Sequence, residues 1–142
     1  MNLDSLYQDI ILDHYKHPRN FKKLDYISED NIHENPSCGD SLKLDLKIEN
    51  GIIKEVLHES KGCAISVSSA SMMTEFLTGK TIDEAKEIIQ HFIDIMQGKK
   101  PVEDLENYDD LTILKGVISY PLRVKCATLS WHALLSMVSG SH

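Results

Sequence analysis

Among its 142 residues the chain has no apolar run approaching the roughly 20 that cross a bilayer, so no membrane-spanning helix is predicted. Met1-Asn2-Leu3-Asp4 carries an early acid and no basic stretch, which argues against a secretory signal. No glycine-rich loop of the phosphate-cradling kind occurs, and nucleotide-driven chemistry is therefore not expected. The basic residues, 15 against 22 acidic, are scattered, with local gatherings only at Lys22-Lys23 and Lys99-Lys100. That scatter and a net charge of −7 speak against a nucleic-acid partner, because phosphate neutralisation needs clustered cations. Cysteine is scarce as well. The three thiols contain no CxxC pair, and an odd number cannot pair completely among themselves. Internal repeats and low-complexity tracts are also missing.

What is present suits one α+β domain over 1–142, with a small antiparallel sheet of about three strands packed against several helices. Hydrophobic residues make up 42% and charged residues 26%, enough for one core and a polar exterior. Apolar side chains at Leu3, Leu6, Tyr7, Ile10, Ile11 and Tyr15 have helical spacing, closed by Pro18. The polar stretch from Arg19 to Pro36 reads as irregular chain, with a short strand around Ile32. Leu42, Leu44, Leu46 and Ile48 alternate with polar residues as a half-buried strand. Asn50-Gly51 is a two-residue turn signal, and Ile52 to His58 is the returning strand. Small residues after Cys63 lead into a helix over about 66–78, in which Met72, Met73, Phe76 and Leu77 read as core. Thr81-Ile82-Asp83-Glu84 matches a capping box opening a helix to about Met96. A polar connection over 98–109, a short helix over 110–119 and a last helix from Pro121 to about Val138 complete the plan.

The hairpin carries the functional argument. Cys38 and Asp40 precede one arm and Cys63 follows the other, so the turn brings residues 38, 40 and 63 together. Adding Cys126 makes three thiolates and one carboxylate, the ligand count of a closed four-coordinate site for zinc or iron. Cys126 reads as lying at a helix start with Arg123 and Lys125 beside it, a setting that favours thiolate. Arg123 and Lys125 are candidates to stabilise a thiolate or a transferred, negatively charged sulfur; the alternative is a pair of solvated cations, with Lys125 disfavoured by the dipole in a first turn. Three buried cysteines acting as small apolar residues, a Cys38–Cys63 disulfide, and a cysteine hydrolase lacking a local signature remain open on spacing alone. His14 and His17 read as structural imidazolium groups at a helix end. His33 is an alternative ligand or a solvated loop residue, and His58 and His132 read as satisfied polar positions.

Three motifs, NPSCGD (35–40), GCAISVSSASMMTE (62–75) and RVKCATLSW (123–131), together with LYQDIILDHYKHPRN (6–20), resemble the IscU/SufU, or NifU N-terminal, family. Each cysteine falls in its own motif and in family order. Lys125 stands where IscU-type scaffolds carry histidine, and the Cys63–Cys126 connection is long. Both features resemble the SufU-type branch, understood as zinc-dependent sulfurtransferases. The resemblance implies a cytoplasmic protein of iron–sulfur cluster biogenesis, with Zn²⁺ on Cys38, Asp40, Cys63 and Cys126. It implies that Cys38 accepts persulfide sulfur from a SufS-type, pyridoxal-phosphate cysteine desulfurase once freed by a replacement ligand. Sulfur then passes to downstream assembly proteins. Alternatives within the family are a scaffold holding a [2Fe–2S] cluster or iron on the same ligands, and a desulfurase-activating module with structural zinc.

Overall fold

A computed structural model describes residues 3–35 and 39–140, with the backbone but not the side chains of residues 3–6 and 30. The hairpin organises it. Strands β2 (Asp40–Glu49) and β3 (Ile52–Lys61) pair antiparallel, with Ser41 opposite Lys61 and Glu49 opposite Ile52. Asn50 and Gly51 both adopt left-handed backbone angles (φ 54° and 74°), the twist that a two-residue turn needs to match its strands. A short strand β1 (His33–Asn35) adds to the free side of β2, placing Asn35 opposite Asp40, so the sheet runs β1-β2-β3. Along the outer side of β3, Lys22 donates its backbone N–H to His58 and His58 donates to Asn20, each at 3.0 Å.

Helices α1 (Leu3–Lys16), α2 (Ala64–Leu77), α3 (Ile82–Met96) and α4 (Pro121–Gly140) accompany this sheet. The helix expected over 66–78 begins two residues earlier, because Cys63 itself serves as its N-cap. The capping box of α3 forms as predicted: Glu84 N–H donates to Thr81 Oγ1 at 3.1 Å, and Thr81 N–H donates to Glu84 Oε1 at 3.0 Å. Ile89, Phe92, Ile93 and Met96 on its inner face join Leu42, Val56, Met73, Leu77 and Leu134 in one core. Phe92 and the fully buried Trp131 stack with ring centres 4.0 Å apart.

Two expectations are corrected here. The connection expected over 98–109 is not merely polar chain, since Val102–Asn107 folds as a 3₁₀ turn, and the short helix expected over 110–119 is a 3₁₀ run over Asp109–Val117. These turns bury Leu105, Leu111, Ile113, Leu114 and Val117. Helix α4 starts at Pro121, so Cys126 lies in its second turn and not at its start. Lys125 therefore also sits past the first turn, where the dipole effect fades.

Candidate metal centre

Asp40 opens β2, Cys63 follows β3, and Cys126 lies on α4. One donor atom from each falls within 4.8 Å of the other two. Asp40 and Cys126 are buried, Cys63 stands at the solvent edge, and neither described cysteine is in a disulfide. Cys38, expected as the fourth ligand, lies outside the described residues.

Each ligand is fixed by its neighbours. Cys63 donates its backbone N–H to Asp40 Oδ1 at 3.0 Å, while Oδ2 lies 4.0 Å from Cys63 Sγ. One carboxylate oxygen is thus held by the backbone and the other is turned toward the thiol. This approach needs Gly62. A Cβ there would stand 2.1 Å from Asp40 Oδ1 and 2.9 Å from its Cα, and the φ of +139° is itself unfavourable for an L side chain. Cys63 Sγ accepts the Ser66 N–H at 3.4 Å, so the sulfur also completes the first turn of α2 at the positive end of its dipole.

Cys126 is placed by a clamp between helices. Ser69 donates to the carbonyl of Ala127 at 2.6 Å and accepts from Trp131 Nε1 at 3.0 Å. A serine of α2 thereby fixes the α4 backbone one residue beyond the third ligand. Sequence reasoning missed this clamp. Its only trace was the run of small residues after Cys63, which was read as a helix and nothing more. The structural roles of Gly62 and of Cys63 as N-cap were also missed.

The remaining candidates have settings of their own. Arg123 is exposed and lies over the Tyr120 ring, 4.7 Å from its centre. Lys125 is exposed and lines a groove on α4. His33 is in β1 and does not join the donor group. His14 is buried against Ser71 Oγ at 2.8 Å, and burial, then the Arg19 charge, hold its imidazole below the ordinary range. This corrects the reading of His14 as a dipole-stabilising imidazolium, because a desolvated ring favours its neutral form. His58 is satisfied, as expected. Its Nε2 donates to the Arg19 carbonyl at 2.9 Å, Ser60 Oγ lies 2.7 Å from Nδ1, and burial pushes the ring down to about 4.

The donor chemistry fits a borderline-soft divalent ion. Tetrahedral zinc bonded at about 2.3 Å to sulfur spaces its ligands about 3.8 Å apart, so donors already within 4.8 Å need only small rotations to converge. Asp40, Cys63 and Cys126 could hold such an ion, and no histidine belongs to the group among the described residues.

Comparisons agree with this layout. The model of the NifU-like N terminal domain matches residues 6–127. A Bacillus subtilis protein named zinc-dependent sulfurtransferase SufU is 46% identical over 134 residues, covering 94% of this chain and 89% of that one. A Streptococcus pyogenes iron–sulfur cluster assembly scaffold protein IscU is 34% identical, covering 98% and 86%. The crystal structure of a Fervidobacterium islandicum protein, described as a candidate iron–sulfur cluster assembly scaffold for the SUF system, superposes with a TM-score of 0.74 at 30% identity, covering 92% and 94%. The chain therefore belongs to the family of the NifU-like N-terminal domain.

Proposed function

We propose that this protein accepts persulfide sulfur on Cys38 from a pyridoxal-phosphate cysteine desulfurase of the SufS type, in the cytoplasm, and passes it to iron–sulfur assembly proteins. The observation that carries the reading is the convergence of Asp40, Cys63 and Cys126 on one point beside the end of the hairpin. Similarity to a relative named for zinc-dependent sulfur transfer supports it. The proposed ligands are Cys38, Asp40, Cys63 and Cys126. Bound there, Zn²⁺ would keep the thiols deprotonated and shielded, and being redox-inert it would leave the oxidation state of the sulfur unchanged.

The chain's own residues then have defined tasks. The Cys38 thiolate attacks the outer sulfur of the desulfurase persulfide, forming one S–S bond as the donor's S–S bond breaks. The donor cysteine leaves as thiolate, so atoms and electrons balance without an added oxidant. Asp40, fixed by the Cys63 N–H, supplies a hard and exchangeable donor beside two softer ones. Arg123 and Lys125 are proposed to meet the negative charge of the arriving sulfur from the solvent side of α4. The described residues include no helix long and apolar enough to cross a membrane.

Mass spectrometry after mixing with desulfurase and cysteine tests the reading. One added sulfur on Cys38 is expected, and an unmodified Cys38 would sink it. A second reading, a scaffold on which a [2Fe–2S] cluster is assembled as cargo, is favoured by the similarity to the streptococcal IscU. Metal analysis separates the two: about one zinc per chain supports transfer, whereas iron with a visible charge-transfer band supports the scaffold.

A further inference from the structure

The basic residues are scattered along the chain, but the acidic ones are not. All 22 precede residue 111, and residues 111–142 carry Lys115, Arg123 and Lys125 with no acid among them. Folding turns this asymmetry into a surface. Pro121, Val124, Lys125, Thr128, Leu129 and His132 recur at helical spacing and form the floor of an open groove of about 640 Å³. Met96 to Gly98 at the end of α3 make one wall, and Glu34 and Asn35 of β1 make the other. Glu34 is the one acid lining the groove, and its side chain faces solvent.

The β1 wall has two properties of a docking edge. It is the outer strand of the sheet, and among the described residues no strand pairs with its outer side. Such an edge offers backbone N–H and C=O groups to an incoming extended segment. Asn35 is more than nine-tenths buried, and its Nδ2 meets no acceptor among the described residues. An unpaired buried donor costs about 1–3 kcal/mol, which a partner's oxygen reaching this wall would relieve. Beside Pro121, the exposed Tyr120 and Leu122 extend the apolar surface beyond the floor.

We propose that this groove docks an extended segment of a partner protein in which acidic and large apolar residues alternate. Its backbone runs along β1, its apolar side chains rest on Val124 and Leu129, and its carboxylates face Lys125 and His132. The acid-rich remainder of the molecule repels such a segment, so the acid-free helix is where it is steered. This inference goes beyond sulfur transfer and does not depend on it.

Titration of the nitrogen-15-labelled full-length protein with an acetylated and amidated heptapeptide of alternating aspartate and leucine tests it. Amide shifts are expected around Glu34, Gln97, Thr128 and His132, with binding weakened by added salt. His132→Glu and Leu129→Glu should each weaken binding about tenfold while the thermal midpoint confirms a folded protein. Should Leu129→Glu fail to fold, the exposed His132 position still decides the matter. Shifts centred elsewhere, equal binding of a lysine–leucine peptide, full competition by acetate alone, or no shifts at millimolar peptide would each overturn the proposal.

Discussion

Helices α2 and α3 follow one another in the chain and are held in different ways. Helix α3 has one apolar face, a capping box and an exposed polar side, so non-directional burial of Ile89, Phe92 and their neighbours positions it. Helix α2 buries Ser66, Ser68, Ser69, Ser71 and Thr74 as well as its methionines, and several of these hydroxyls have named partners. Ser71 accepts the Arg19 N–H and meets His14, Thr74 accepts from Asn20, and Ser69 binds Ala127 and Trp131. Small side chains let neighbouring elements approach closely, and directional bonds then fix register as well as distance. The helix that begins at Cys63, one of the converging donors, is the one secured by hydrogen bonds.

The strongest break of this contrast should come from Gly62→Ala, which drives a Cβ into Asp40. A loss of more than about 3 kcal/mol in urea unfolding is expected, together with loss of bound zinc measured by metal analysis. A variant that keeps both would show that Asp40 does not need the glycine.

Acid should act next, through His58. Its folded-state value of about 4 lies below the ordinary 6.5, so the unfolded chain takes up the proton first as pH falls. Stability is complete above pH 6.5 and declines toward pH 4, by roughly 3 kcal/mol in all. His58→Gln should flatten that decline relative to the parent protein in unfolding curves at matched pH. Parallel curves would place the acid sensitivity elsewhere.

Ser69→Ala removes the partner of Trp131 Nε1 and of the Ala127 carbonyl, at about 2 kcal/mol. It should also weaken zinc retention against a chelator. Ile89→Val in α3, costing about 1 kcal/mol, should leave retention unchanged. Equal retention in the two variants would erase the distinction between the helices. Smallest is Thr81→Ala, expected to lower stability by about 1 kcal/mol through the lost cap and to leave the metal untouched.

Much of the fold was legible because it follows simple periods. Alternation from Leu42 to Ile48, the Asn50-Gly51 turn and the capping box at Thr81 are local signals, and each matches an observed element. The meeting of Asp40 with Cys63 was legible for the same reason, since a hairpin fixes which residues face each other. Cys126 reaches them only through the docking of α4 on α2, which no period encodes. That spacing rests on Ser69 and Trp131, 62 positions apart. The burial of His14 was equally hidden, because its cause, Ser71, is 57 positions away. The 3₁₀ turn over Val102–Asn107 escaped because it buries only Leu105, too little to show a period, whereas the helix expected over 110–119 meets the 3₁₀ run Asp109–Val117.

The order in which the chain supplies its ligands carries a consequence for synthesis. Asp40 and Cys63 are joined by a hairpin that can close as soon as residue 63 is available. Cys126 arrives only when the last helix has been made and seated. With the proposed ligands, a growing chain would offer an incomplete, weakly binding pocket, and tight metal capture would coincide with the final docking event. On the proposed ligand set, firm metal retention doubles as a certificate that the whole chain has been folded.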